Sequence, residues 1–162
     1  MRSTLAHRRP CGAGYRGTLV RLGRRLRFNQ MLRDTLAGNT AQALLPYGDF
    51  GAGGCVLLAK ALEPLIPGIA LVMIGRKAIN SQDHMAVQLA NGADYVDYLG
   101  VQSRQRLVRR YTGLLPPNQQ HWPVTLAQPD WRYLNQQGMV PNEATVAELQ
   151  RLLMPAIRWL RA

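Results

Sequence analysis

Tyr47-Gly48-Asp49-Phe50-Gly51-Ala52-Gly53-Gly54-Cys55-Val56-Leu57-Leu58-Ala59-Lys60-Ala61-Leu62 is a glycine-rich turn running into an apolar helix, and it sets one cysteine where that helix begins. The first N–H groups of a helix have no partner within it, and with the helix dipole they favour negative charge. A thiol at that position is expected to ionise more readily than a free one. The same N–H groups suit a carbonyl oxygen that is gaining charge. Val56, Leu57, Ala59, Ala61, Leu62 and Leu65 make the helix apolar nearly all round, with Pro64 and Pro67 ending it, so it is expected to be buried.

Downstream, the run Ile69–Ile74 lies between Gly68 and Gly75 and reads as a central strand. Lys77–Asp83 is a polar connection. His84–Ala90 alternates, Asn91-Gly92 is a hairpin-turn signal, and Tyr95–Tyr98 returns, which predicts an antiparallel hairpin. With Asn91-Gly92 in the turn, residue 86 faces residue 97. His84 and Asp97 are then diagonal neighbours on one face, while Met85, Val87, Leu89, Val96 and Tyr98 share the other. Asp94 is directed away from His84 by the same register. Ser103 suits the cap of a helix through about Tyr111, stopped by Pro116-Pro117, and residues 118–138 give no firm element. Asn142 caps a long last helix, with Val146, Leu149, Leu152, Leu153, Ile157 and Leu160 on one side and a kink expected near Pro155.

Upstream the chain is basic. The 162 residues carry a net charge of +11, and the nine arginines of residues 1–33, with no acid among them, account for most of it. Residues 1–17, with Pro10, Gly12, Gly14 and Gly17, read as a flexible basic leader, and residues 18–162 as one α+β domain. From Thr18, Leu19, Leu22, Leu26, Leu32 and Leu36 recur at helical spacing up to Gly38-Asn39. Arg21, Arg24, Arg25 and Arg27 form either a solvated face or a nucleic-acid contact. No run reaches the ~20 apolar residues of a membrane span, and residues 1–17, with arginines, Pro10 and glycines where an apolar stretch would stand, are not expected to act as a secretory signal. Cys11 and Cys55 have no zinc or disulfide spacing, which points to a reducing, cytoplasmic setting.

Cys55, His84 and Asp97 are the three side-chain types that acyl transfer needs together. A thiolate attacks, an imidazole moves the proton, and a carboxylate fixes the imidazole. The glycines of the turn fit neither a Walker loop nor a dinucleotide fingerprint. His7, His84 and His121 are too dispersed for a metal, so neither metal nor cofactor is expected. Trp122 and Trp131 are candidates for a substrate groove, although a Trp in a loop more often serves packing.

Gly53-Gly54-Cys55 opening an apolar helix, Asp83-His84-Met85-Ala86-Val87 leading a strand, and Tyr95-Val96-Asp97-Tyr98-Leu99-Gly100-Val101-Gln102-Ser103 after it together resemble the papain-like and transglutaminase-like cysteine peptidases, over residues 48–110. That resemblance implies a papain-like α+β fold, its nucleophile helix packed on a small antiparallel sheet, with extra N- and C-terminal helices. It also implies a thiol-dependent peptidase, deamidase or acyltransferase acting on a peptide or protein. Cys55 would be the nucleophile, His84 the general base and acid, and Asp97 the orienting carboxylate. Such enzymes often supply an oxyanion donor from a glutamine six residues before the cysteine, where this chain has Asp49. Backbone N–H groups at Gly54-Cys55, or Gln42 or Asn39, would then serve instead. The alternative is a basic nucleic-acid-associated or partner-binding protein acting through its arginine-rich N-terminal segment.

Overall fold

The computed structural model describes residues 13–45, 49–50, 53–76 and 81–161, the first six of these by backbone alone. Cys11, the basic residues before Gly12 and most of the Lys77–Asp83 connection lie outside the described residues. The elements are α1 (Ala13–Ala37), α2 (Asn39–Gln42), α3 (Gly54–Leu62), β1 (Ala70–Arg76), β2 (His84–Gln88), β3 (Asp94–Asp97), β4 (Gly100–Ser103), α4 (Arg104–Leu114), β5 (Val124–Ala127), α5 (Trp131–Gln136) and α6 (Glu143–Arg161). The fold is mixed α+β. Its strands form one antiparallel sheet in the order β4-β3-β2-β1-β5, so β1 and β2 are central.

Strand alternation divides the interior in two. Met73, Met85, Val87, Val96 and Val101 meet α1, α3 and α6 in the larger core. Val72, Ile74, Ala86 and Tyr95 face the other way and pack with Leu107 and Tyr111 of α4. The hairpin has the expected register, with Val87 opposite Val96 and Gln88 opposite Tyr95. At the turn, Gly92 has φ 68°, and the Asn91 side chain accepts N–H groups from Ala93 and Asp94 at 3.0 Å. Ser103 accepts the Arg106 N–H at 3.3 Å and Asn142 the Thr145 N–H at 2.8 Å, so both expected caps form. The last helix runs on through Pro155.

Three sequence expectations need correction. α1 starts at Ala13, five residues before Thr18, and only its second half is docked. Phe28, Leu32 and Leu36 are buried, while Leu19, Leu22 and Leu26 are exposed. Burying each anchor contributes roughly 2 kcal/mol, enough to hold a helix that then propagates outward at little cost. Second, residues 118–138 contain β5 and α5. Asp130 caps α5 by accepting the N–H groups of Arg132 and Tyr133, and β5 pairs with β1 at the sheet edge. Third, Tyr98, expected within the returning strand, instead begins a two-residue turn with Leu99, and Gly100, with φ 101°, opens a further strand, β4.

The outer edge of β4 is closed by a side chain of α1. Asn29 accepts the Val101 N–H at 2.7 Å and places its own amide 3.5 Å from the Val101 carbonyl. A carboxamide carries the same donor and acceptor as a peptide unit and completes the edge as another strand would. Arg25 adds an ion pair to Asp94 at 2.7 Å, so α1 is tied along the β3–β4 hairpin.

Candidate active site

Two glycines open α3 ahead of Cys55. Gly53 has φ 93°, a region that L side chains rarely adopt. A Cβ on Gly54 would lie 2.6 Å from Leu45 Cδ2 and 2.8 Å from the Asp49 carbonyl oxygen, which accepts the Gly54 N–H at 3.1 Å. The preceding segment therefore crosses tightly over the helix start, and Cys55 is the first helical residue with a side chain. That thiol is nearly covered, at 6 % exposure, and is not in a disulfide.

The thiol meets His84 at the other end of its reach. His84 opens β2, and Asp97 closes β3. Both lie beyond the last paired residues of the β2–β3 ladder, where Cys55 comes alongside. His84 hydrogen-bonds the Cys55 thiol, and its Nε2 lies 3.3 Å from Asp97 Oδ2. Tyr98 sets its ring edge-on to the imidazole, with centroids 5.9 Å apart. Asp97 is the most enclosed of the three, its side chain fully buried. Its Oδ1 accepts the Leu99 N–H at 2.9 Å, and its Oδ2 also receives Arg110 of α4. Arg110 lies over the Tyr98 ring, 5.1 Å from its centroid.

These contacts decide the charges. Burial pushes the Cys55 thiol up, but the bond to His84, the imidazolium charge and the N–H groups of Met85 and Val56 bring it below the ordinary thiol range. Burial pushes His84 down, and its bonds to Asp97 and Cys55 outweigh this, raising it to about 9. Burial likewise raises Asp97, whereas His84 and Arg110 hold it below the usual carboxylate range. Each partner thus favours the other's charged form: the imidazolium favours a thiolate, and the ionised carboxylate favours the imidazolium. The Val56 N–H is one of the first-turn donors that the position of Cys55 predicts.

Of the other sequence candidates, Asp49 is exposed and its carbonyl braces Gly54. Gln42 donates to the Leu36 carbonyl, and both residues line a groove with Phe50, Tyr98 and Leu99 beside the helix start. The two tryptophans stand elsewhere. Trp122 is stacked by Arg76 at 6.0 Å, Trp131 by Lys60 at 5.0 Å, and neither lines the cavity at His84 or the groove past Tyr98. Among the arginines of α1, Arg21 is exposed and Arg24 half-buried; Arg25 holds Asp94, and Arg27 lies 5.6 Å from the Trp159 ring centroid. The four do not make a continuous unengaged basic face.

Arg110, Tyr98 and Gln102 are site neighbours that sequence reasoning missed. Leu107 and Tyr111 define the buried side of α4, and residue 110, three on from 107, borders it. That spacing was the available signal. No family model, no curated protein and no solved structure matches this chain, and no helix among the described residues is long and apolar enough to cross a membrane.

Proposed function

We propose that this chain is a thiol-dependent hydrolase or acyltransferase of papain-like architecture, acting on an amide or related acyl bond of a peptide or protein. The observation that carries this reading is the continuous link from Cys55 through His84 to Asp97, with the thiol lowered and the imidazole raised. A merely structural cysteine has no need of a charged partner.

In this reading the Cys55 thiolate attacks the substrate carbonyl carbon. The S–C bond forms, and the carbonyl π electrons move to oxygen. The backbone N–H of Cys55, in the first turn of α3, would receive that oxygen. The oxyanion collapses, His84 gives its proton to the leaving amine, and the C–N bond breaks to leave a thioester. Water or another nucleophile then attacks. His84 takes its proton, the S–C bond breaks, and the thiolate and imidazolium are restored. Asp97 stays ionised throughout and holds the ring, with Nε2 turned to it and Nδ1 left for sulfur.

The test is the pH profile of Cys55 alkylation by iodoacetamide, each protein read against its own high-pH plateau. An unassisted thiol is about 1 % ionised at pH 6.5. The parent chain is expected to exceed His84→Ala at that pH by about tenfold or more on this scale. Equal profiles, or a thiol that no small electrophile reaches, would remove the proposal.

A further inference from the structure

The groove beside the helix start does not end at Tyr98. Past Leu99 and Arg33, which line both parts, it continues into a depression of about 210 Å³ between α1 and α4. Its walls include Leu26, Leu99, Gln102, Arg33, Arg106 and Arg110, and no carboxylate lines it. Arg110 is held by Asp97, whereas Arg33 and Arg106 are exposed and have no acidic partner among the described residues. Gln102 supplies a separate observation. It is 5 % exposed, its oxygen is 3.4 Å from Arg110 Nη1, and its amide nitrogen has no hydrogen-bond partner. Buried donors are rarely left so in a finished structure.

We infer that this depression is a specificity subsite for an aspartate or glutamate side chain of the peptide whose acyl bond Cys55 attacks, a statement that rests on the function proposed above. Two guanidinium groups without acidic partners among the described residues, Arg33 donating only to the neutral Gln30 at 3.2 Å, and a spare amide N–H match the acceptor oxygens of a carboxylate. Leu26 and Leu99 give the apolar walls that a side-chain stem contacts. The volume is below that of usual small-molecule pockets and suits one side chain with its backbone. The two parts of the groove also differ in charge: the part beside the helix start carries Asp49 with Arg33, and the further part adds Arg106 and Arg110 with no acid. An extended peptide with its acid a few residues from the scissile bond follows this polarity. A nucleic-acid backbone, with a phosphate at every step, does not.

The experiment uses the full chain with Cys55→Ala, immobilised and offered a pool of random octapeptides lacking cysteine, with retained peptides sequenced by mass spectrometry at low salt. Asp and Glu are expected to be enriched over Asn and Gln by about fivefold. The Arg33→Gln/Arg106→Gln variant should lose this enrichment, as should salt of about 0.3 M, and thermal melts of that variant should match its parent. Retention without acidic enrichment, no retention, or enrichment that survives the double substitution overturns the subsite. So does a short oligothymidylate that binds more tightly than the peptide pool and is lost in the same variant, an outcome that reassigns the arginines to nucleic acid. Iodoacetamide alkylation of the unsubstituted chain is measured alongside. Acidic selection with an unreactive thiol would retain the peptide site and discard the hydrolase; a reactive thiol without selection would do the reverse.

Discussion

Replacing Arg110 with methionine separates the support of the candidate site from its chemistry. Arg110 bonds Asp97 Oδ2, the same oxygen that faces His84, and its side chain is 23 % exposed while that of Asp97 is fully buried. Breaking a wholly buried pair from one side costs about 3–5 kcal/mol. Here Asp97 keeps His84 and the Leu99 N–H, and Arg110 is partly screened, so about 2 kcal/mol is the expected loss at neutral pH. A chain of this length loses roughly 2–4 °C of Tm per kcal/mol, hence about 4–8 °C. The loss must also depend on pH. Asp97 is held below its ordinary value, so its ion pairs contribute stability above the unfolded carboxylate pKa, near pH 4, and lose it as pH falls through the folded value. Urea unfolding of Arg110→Met and the parent should therefore differ most near pH 7 and converge below about pH 4. Alkylation of Cys55 should persist in the variant, because Oδ2 is then left to His84 alone. A difference in stability that stays constant from pH 7 into the acid range would mean that Arg110 acts by packing, and the electrostatic argument would fail.

Asn29→Ala should destabilise by about 2 kcal/mol, because the Val101 N–H at the β4 edge loses its acceptor. Asn29→Asp keeps the acceptor for Val101 but sets a carboxylate oxygen against the Val101 carbonyl in place of the amide donor, and should recover only part of that loss in the same denaturant titration. Gly54→Ala forces a methyl group against Leu45 and the Asp49 carbonyl, and should cost about 1–3 kcal/mol while slowing alkylation of Cys55. Gly23→Ala, in helix α1 with nothing within 4 Å of the added carbon, should be neutral or stabilising by up to about 1 kcal/mol, and equal effects at the two positions would refute the crowding argument.

The elements legible in the sequence were those fixed by local chemistry. Asn91-Gly92 set the hairpin register, and the register alone made His84 and Asp97 neighbours. The two glycines before Cys55 put it at a helix start. What stayed hidden depended on partners distant in the chain. β5 is half-buried and short, and its place is decided by pairing with β1 some fifty residues away, which no local pattern encodes. The apolar repeat of α1 was seen, but Leu19, Leu22 and Leu26 carry the same letters as the buried Leu32 and Leu36. Periodicity marks a helix without saying how much of it is covered. The charge pattern misled in a related way. Outside residues 1–33 the chain is nearly neutral. Yet Arg76, Arg110 and Arg25 are matched to Asp83, Asp97 and Asp94, which leaves other arginines of α1 and α4 gathered on one wall without acids.

The bland account of Cys55, a small apolar side chain filling a core, has to explain why its surroundings favour the ionised form. Cys55 and His84 are each more than nine-tenths buried, and burial works against the ionised form of both. A cysteine that only packed would be more stable beside an aliphatic neighbour, as buried ion pairs often are when replaced by apolar groups. Here desolvation is opposed from several directions at once: by Asp97 behind the imidazole, by Arg110 and the Leu99 N–H on Asp97, and by the Met85 and Val56 N–H groups on the sulfur. Those contributions come from α3, α4, β2 and the β3–β4 turn, elements far apart in sequence that meet at this one place. Stability alone does not require such convergence. The proposed acyl transfer does call on it, and a lowered thiol beside a raised imidazole supports that proposal better than the proximity of the three side chains alone.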